Sequence, residues 1–364
     1  MKRLGDLFER IAEPGNLREA FHKAARGKRD RHEVRAFAAS LDREISVLRT
    51  DLLKNRLKLG RAVTFTIHDP KERIITAPCF CERVLHHAIL NVCESAFERF
   101  LITDTFACRS GKGMIAALHR AMHFSRRFGF AIKLDMRKYF ESIPHDELLN
   151  RLTRRFKDRR LLELFRQIVH SHSDQGHGLP IGSLTSQHFA NFYLGWFDRF
   201  IKEQQQVKGY VRYMDDCLLW GEQRSDLRQL TSTCRDFLQA ELGLGMHEPV
   251  PVFKSRTGLE FLGCRVFPDH LKLNRRSRRR YRAKLRDLDE QFAAGTITEL
   301  ELQCRSESLT SFTAAGGVRS WHFRRQVLQQ LPVSGHGLEP GEPGRQLEQQ
   351  LRQLPFGEPQ QEHA

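Results

Sequence analysis

Two adjacent aspartates, Asp215 and Asp216, stand in the stretch VRYMDDCLLW at residues 211–220, between two short apolar runs. Adjacent aspartates are common in exposed turns, because Asp favours turn conformations and water solvates its charge. The flanking β-branched, aromatic and aliphatic residues favour a strand, a tight turn and a second strand. A hairpin would hold both carboxylates at a rigid tip, as a metal site requires. An ordinary solvated turn is the alternative.

A third acid, Asp135, directly follows the apolar run FAIKL. Active sites tend to lie at strand ends of α/β sheets, and a buried carboxylate without a partner is costly, so Asp135 needs a cation. If Asp215 and Asp216 converge on it, the three acids suit two Mg²⁺ ions, with Mn²⁺ as a substitute. Such a pair activates an attacking hydroxyl and stabilises a leaving pyrophosphate in an in-line displacement.

The elements that would position these acids can be read from periodicity. Residues 1–60 have apolar residues at helical spacing, with a basic break at residues 27–31. VTFTIHDPKERIITAPCF predicts two strands joined by a turn at Asp69 and Pro70. Further predicted elements are a helix in ERVLHHAILNVCESAFERFL, a strand in FAIKLDM, a helix from His145, and helices near 161–170 and 189–201. The alternation predicts a mixed α/β domain.

Composition favours a polyanionic partner. Lys and Arg number 60 against 44 Asp and Glu, and the pI is about 9.8, which favours nucleic acid before an anionic membrane surface. No apolar run approaches the ~20 residues that cross a bilayer, and the start MKRLGDLFERIAEPG lacks the apolar stretch of a signal peptide. We therefore expect a soluble, cytoplasmic protein with no membrane partner.

Two other segments are distinctive in composition. NRRSRRRYRAKLR at residues 274–286 predicts a basic helix, which favours phosphate binding over a merely solvated face. The Pro-, Gly- and Gln-rich residues 331–364 lack a periodic apolar face, so we expect disorder there. Cys79 and Cys81 lie near His86 and His87, but the spacing is not that of a zinc finger and predicts free thiols.

The order of these motifs resembles that of reverse transcriptases over roughly residues 60–290: a strand Asp followed by aromatics, a Gly-containing segment, YMDD and FLG. The resemblance implies a right-hand polymerase fold with fingers, palm and a helical thumb. It divides the chain into a basic helical extension (1–60), fingers with part of the palm (61–130), palm (131–268), thumb (269–330) and tail (331–364).

The resemblance also implies roles for single residues. Asp135 and Asp215 would bind metal, with Asp216 a supporting acid; the implied metal set is Asp135, Met136, Asp215 and Asp216. Phe140 matches an aromatic steric gate that excludes the ribose 2′-OH, and core packing is its alternative role. Arg73 resembles a fingers arginine that contacts the triphosphate, for which a guanidinium fork is well suited. Lys133 either holds phosphate or lies on the exposed face of its strand.

Further resemblances concern contacts with nucleic acid. Phe261, Leu262 and Gly263 resemble the primer grip. The arginines that follow resemble a thumb helix along the duplex backbone: Arg275, Arg276, Arg279 and Arg280.

The run IGSLTSQ at residues 181–187 narrows the family. It replaces the Gln-Gly and Ser-Pro ends seen in many reverse transcriptases, and it is similar to the version in diversity-generating retroelements, as is FACRSGKG from Phe106. Ile181, Gly182 and Gln187 would contact the nucleotide. The implied partners are a template-repeat RNA, the RNA/cDNA duplex, deoxynucleoside triphosphates and a small basic accessory variability protein. The implied setting is a bacterial, phage or archaeal cell.

Ile181 has a physical consequence. A glutamine there can hydrogen-bond near the incoming nucleotide, whereas isoleucine offers apolar contact alone. Loss of such a bond weakens discrimination between nucleotides by about 1 to 3 kcal/mol. The sequence therefore predicts error-prone copying, which the resemblance to diversity-generating retroelements directs to template adenine; a packing role in a faithful enzyme is the alternative.

Two other functions stay open at this level. One is a reverse transcriptase of another role, such as phage defence or intron mobility, and the other is a nonpolymerising RNA-binding scaffold. The three acids with Phe140 argue against the scaffold. The region after the thumb is too short for an added nuclease or integrase domain of ordinary size, so we expect integration to need other components.

Overall fold

The structure is a computed structural model that describes residues 3–68, 72–171, 175–314, 323–324 and 326–327. The predicted turn at Asp69 and Pro70 and the tail at 331–364 lie outside the described residues. The predicted mixed α/β class is confirmed. The helices are α1 (Phe8–Ile11), α2 (Pro14–Ala25), α3 (His32–Ala39), α4 (Leu41–Leu53), α5 (Phe80–Glu98), α6 (Met114–Arg127), α7 (Tyr139–Ser142), α8 (His145–Thr153), α9 (Arg159–His170), α10 (Leu184–Arg199), α11 (Arg224–Leu242), α12 (Arg275–Ala293) and α13 (Glu299–Ala314). The strands are β1 (Ala62–His68), β2 (Glu72–Pro78), β3 (Phe130–Asp135), β4 (Gly209–Tyr213), β5 (Asp216–Gly221), β6 (Val252–Lys254), β7 (Leu259–Phe261), β8 (Cys264–Val266) and β9 (Leu271–Leu273).

The predicted N-terminal helices are confirmed, and the basic break separates α2 from α3. Helix α2 starts with Pro14, whose missing N–H costs nothing in the first turn. Its buried residues recur at helical spacing and form one apolar face: Leu17, Ala20, Phe21 and Ala24. The Phe21 ring lies 5.9 Å from that of Phe80, the first residue of α5. The N-terminal helices therefore share the core of the residues that follow them.

The central sheet has four strands in the order β4-β5-β3-β6, and every pair is antiparallel. Residues 217–220 of β5 are all buried, which suits the middle of a sheet covered on both faces. Strand β3 ends where β5 begins, because their directions are opposite. Side chains at this end of the sheet therefore come from adjacent strands that are far apart in sequence.

The chain divides into two compact units between Lys254 and Ser255. The second unit contains the antiparallel sheet β7-β8-β9, α12 and α13. Helix α12 is capped by the Asn274 side chain, which accepts from the Ser277 amide at 2.8 Å. Tyr281, Leu285 and Leu288 form its buried face. The FLG segment thus lies in the same unit as the basic helix, and the five-part division expected from the sequence stays a prediction.

Across the described part of the chain, no helix is both long and apolar enough to span a bilayer.

Candidate functional site

The three aspartates meet at one end of the central sheet. Asp135 is the last residue of β3, and its register partner on β5 is Asp216, the first residue of that strand. Asp215 occupies the two-residue loop between β4 and β5. The predicted strand, turn and strand are confirmed, and the predicted convergence of the acids is observed. All three residues are half-buried rather than fully solvated.

The electrostatics of the cluster show an excess of negative charge. Burial raises the pKa of Asp215 above its ordinary value, and the neighbouring Asp216 and Asp135 carboxylates raise it further. The Arg73 guanidinium acts in the opposite direction on the same pKa. Arg73, at the exposed start of β2, is thus close enough to Asp215 to act on its charge. A cation at this point would relieve the repulsion.

Lys133 lies on the same face of β3 as Asp135, two residues earlier. Its Nζ forms an ion pair with Asp216 Oδ1 at 2.6 Å, and both side chains are about 30% exposed. The Lys133 side chain thus faces the acids, and both roles expected for it stay predictions. The ammonium group partly offsets the charge of Asp216.

Among the described residues, no group of three or more His, Cys, Asp or Glu side chains is arranged to hold a metal ion. The metal set of Asp135, Met136, Asp215 and Asp216 therefore stays a prediction. The donor chemistry fits a hard cation, because Mg²⁺ takes one or two protein carboxylates together with substrate phosphates rather than a complete protein cage. The Met136 side chain carries a thioether and no oxygen, so its main-chain carbonyl is the ligand that it offers a hard cation.

Phe140 and the segment at Ile181 lie next to each other. Phe140 is half-buried in α7, and its carbonyl accepts from the Leu179 amide at 2.8 Å. Two residues later, the Ile181 carbonyl accepts from the Thr76 amide of β2 at 2.8 Å. A single short segment therefore joins the region of the proposed gate to the strand that carries Arg73.

Gly182 permits the close approach of this segment to β2. Its φ is +115°, and a Cβ at this position would lie 2.8 Å from the Thr76 carbonyl oxygen and 2.9 Å from Ile75 Cγ2. Contacts this short force a displacement of the neighbouring main chain, so any side chain here would push β2 away. The glycine is needed for geometry; its contact with nucleotide stays a prediction.

The two segments that resemble diversity-generating retroelements are in contact. Gln187, in the first turn of α10, has its Oε1 3.6 Å from Cys108 Sγ of FACRSGKG. Arg109 holds that loop in place through Glu98 at 2.7 Å and the Ile102 carbonyl at 2.6 Å. The Phe106 amide donates to the Arg212 carbonyl at 3.0 Å, which places the loop beside the strand that leads into YMDD.

Arg212 of β4, which the sequence identified only as a strand residue, is fully buried and hydrogen-bonded to the hairpin loop. Its Nη1 donates to the Met214 carbonyl at 3.0 Å. A strongly charged residue inside an otherwise apolar strand was the available signal, because such a charge must be paired.

A cationic groove was also missed. Three arginines, Arg31, Arg61 and Arg83, line a cavity of about 420 Å³ that the exposed Phe65 of β1 also borders. Glu33 forms an ion pair with Arg83 and leaves the lining net positive. Arginine beside an exposed aromatic ring suits an unpaired nucleic-acid strand, since phosphates and bases each find a partner. Because the three arginines come from separate segments, no single sequence motif predicted the groove.

The FLG segment forms the turn between β7 and β8. Phe261 pairs with Cys264, and Leu262 and Gly263 between them have φ of +47° and +78°. The Phe261 ring is buried, so a primer contact here would involve the main chain of the turn and not this ring.

On α12 the predicted arginines separate into two rows. Arg275, Arg279, Arg282 and Arg286 recur at intervals of four, three and four residues and lie on one side of the helix. This row is about 16 Å long at 1.5 Å per residue. Arg276 and Arg280 lie on a different side. The first row offers four guanidinium groups to one linear anion, and Arg282 and Arg286 were not among the predicted contacts.

Comparison with known proteins identifies a matching family and several similar sequences. Residues 67–266, more than half of the chain, match the family described as reverse transcriptase (RNA-dependent DNA polymerase). Protein YkfC of Escherichia coli (strain K12) is 22% identical over 279 residues, which cover 63% of this chain and 72% of that protein. An uncharacterized 91 kDa protein in the cob intron of Schizosaccharomyces pombe is 26% identical over 158 residues, 42% of this chain and 20% of that protein.

A putative COX1/OXI3 intron 2 protein of Saccharomyces cerevisiae is 21% identical over 250 residues, 51% of this chain and 29% of that protein. The chain thus spans less than a third of either intron protein. Telomerase from Candida albicans aligns with a TM-score of 0.47 and 11% identity, over 84% of this chain and 68% of that one. The fold class implied by the motifs, a right-hand polymerase, is the one that this family has, and the chain belongs to the reverse transcriptases, the RNA-dependent DNA polymerases.

Proposed function

We propose that this protein copies RNA into DNA by in-line nucleotidyl transfer at the Asp135, Asp215 and Asp216 cluster. The observation that carries the proposal is the pairing of Asp135 with Asp216 at one sheet end, with Asp215 on the adjoining loop. Reverse transcriptase domains generally use divalent metal ions. A pair of Mg²⁺ ions held by these acids would activate the attacking hydroxyl and stabilise the leaving pyrophosphate.

The remaining roles follow from position and charge. Arg73 contacts the phosphates of the incoming nucleotide, for which its exposed guanidinium offers a planar fork. Lys133 holds the Asp216 carboxylate in place through their ion pair before substrate arrives. Phe140 excludes ribonucleotides, and the groove at Arg31, Arg61 and Arg83 accepts unpaired template. Purified protein with Mg²⁺, a primed RNA and labelled deoxynucleotides should extend the primer, and absence of extension under these conditions would contradict the proposal.

The particular role that we propose is mutagenic copying in a diversity-generating retroelement. The contact between Gln187 and Cys108 supports it, because that contact joins the two segments that carry the resemblance. In this role the protein copies a template-repeat RNA into adenine-mutagenised cDNA with a small basic accessory variability protein. An adjacent pair of near-identical genomic repeats that differ at adenines is expected, and absence of such a pair would favour phage defence or intron mobility.

Replacement of Ile181 by glutamine should lower misincorporation. The half-buried isoleucine offers no hydrogen bond to the nucleotide, whereas the amide of glutamine does. We expect errors opposite template adenine to fall about tenfold or more. Sequencing of cDNA from one template would measure this, with Ile181→Leu as the apolar control. Equal error spectra in all three proteins would show that Ile181 only packs.

Removal of two arginines from the longer row of α12 should weaken duplex binding in a salt-dependent way. Arg279→Ala with Arg286→Ala should lower the slope of log affinity against log salt by about one to two, because each phosphate contact releases about one counterion. Arg276→Ala with Arg280→Ala removes the same charge from another side of the helix and serves as the matched control. Equal slopes for both double variants would argue against a directed row.

A further inference from the structure

The loop that carries Asp215 is held in a strained conformation. Since β4 ends at Tyr213 and β5 begins at Asp216, the loop consists of Met214 and Asp215 alone. Met214 has a φ of +53°, a region that a residue with a Cβ rarely adopts and that short hairpin loops usually give to Gly or Asn. Strain of this kind persists only where the surrounding structure enforces it.

Arg212 provides that enforcement. Its Nη1 donates to the Met214 carbonyl at 3.0 Å. The other donors go to Asp198, at 2.6 Å from Nε and 2.7 Å from Nη2, and to Asn191, at 2.8 Å from Nη1 and 3.0 Å from Nη2. All five N–H groups of the guanidinium are therefore used. Because the group is planar, the four bonds to α10 fix the direction of the fifth.

Asp198, which anchors the Arg212 guanidinium, accepts further hydrogen bonds of its own. Asp198 is buried on α10 and also accepts from the Tyr210 hydroxyl at 2.6 Å and the Thr105 hydroxyl at 2.7 Å. Although burial acts to lower the pKa of Arg212, the Asp198 carboxylate raises it above its ordinary value. Through these hydrogen bonds, Arg212 and Asp198 connect the loop to α10, to β4 and to the segment at Thr105.

We propose that Arg212 is a positioning residue for the metal site, which fixes through the Met214 carbonyl the direction in which Asp215 presents its carboxylate. The inference rests on the proposed function of the aspartate cluster. Arg212 is sealed in the core behind the loop and acts on no substrate atom. A change of Arg212 therefore alters cation binding and turnover, while affinity for primed template is unchanged.

Arg212→Lys tests this with charge retained, because an ammonium group cannot reach Asp198, Asn191 and the loop at once. Titration with Mn²⁺ followed by electron paramagnetic resonance, without nucleotide, should show cation binding weakened about tenfold, the effect of disturbing a group that orients a ligand. The Mg²⁺ concentration for half-maximal extension should rise in parallel. Amide hydrogen exchange at residues 215–217 should become faster.

Arg151→Lys is the matched control for loss of a buried arginine. Arg151 is also buried, pairs with Glu147 at 2.7 Å and donates to the main-chain carbonyl of Glu241, and its contacts lie away from the hairpin loop. The Arg151→Lys variant should have a lower melting temperature and an unchanged affinity for Mn²⁺. An equal shift in both variants would overturn the proposal, because general loosening of the fold would then explain it.

Tyr210→Phe covers the case in which Arg212→Lys does not fold. It removes one hydrogen bond to Asp198 and leaves the loop contact intact, so we expect a smaller shift in the same direction, about twofold. Asp215→Asn separates the two ideas. If Asp215→Asn leaves Mn²⁺ binding unchanged, the metal site itself is wrong; if it abolishes binding while Arg212→Lys and Tyr210→Phe bind normally, the positioning role is wrong.

Discussion

Asp215→Asn should reduce primer extension by ~10³-fold or more, because the amide keeps the size of the side chain and removes a charge that stabilises the reacting phosphate. Binding of primed RNA should be nearly unchanged, since that affinity comes from Lys and Arg contacts to phosphate. Asp226→Asn, at an exposed acid in the first turn of α11, is the control and should extend normally.

The same substitution should leave the melting temperature equal or raise it. Burial and the neighbouring Asp216 and Asp135 raise the pKa of Asp215, so its charged form is disfavoured in the folded protein. Asp215→Asn therefore removes repulsion among the three clustered carboxylates, a cost in stability that the proposed reaction centre carries. Normal extension by Asp215→Asn would show that the cluster is not the reaction centre, and a large fall in melting temperature would show that it is structural.

Phe140→Ala should admit ribonucleotides. Phe140 is half-buried, follows Asp135 by five residues, and accepts through its carbonyl from the Leu179 amide of the segment that leads to Ile181. A ring under the sugar excludes a 2′-OH by steric overlap, so its removal should lower the preference for deoxynucleotides on the order of a hundredfold in kcat/KM. Single-nucleotide extension with each triphosphate would measure this.

Phe140→Tyr keeps the ring and should keep the preference, which makes it the matched control. Phe140 also packs against the core, so the melting temperature of each variant must be compared with its selectivity. If Phe140→Ala loses stability but discriminates as the parent does, packing is the whole role of the ring.

Local pattern was sufficient for most elements. The helical spacing in residues 14–53 and the strand-forming residues on both sides of Asp215 each come from neighbours in sequence, and the structure confirms the elements that they predict. Asp135 is at a strand end, as predicted, and it meets Asp216 because the sheet is antiparallel and β3 ends where β5 begins.

The spacing of residues along the sequence could not predict contacts between distant segments. The bond from Arg212 to Asp198 and the groove of Arg31, Arg61 and Arg83 join residues from separate elements, and no spacing rule links them. The ion pair of Lys133 with Asp216 is likewise a contact that only the fold reveals. On α12 the composition indicated phosphate binding, but the helical turn decides which arginines share a side.

The order of residues was enough to identify the acids, the strands that carry them and the family, because side-chain type and spacing follow directly from it. The pairing of Asp135 with Asp216, the contact of Gln187 with Cys108 and the bond from Arg212 to the loop of Asp215 became known from the folded structure. These are long-range contacts set by how the core packs, and a buried charge reveals its partner only when the elements around it are in place.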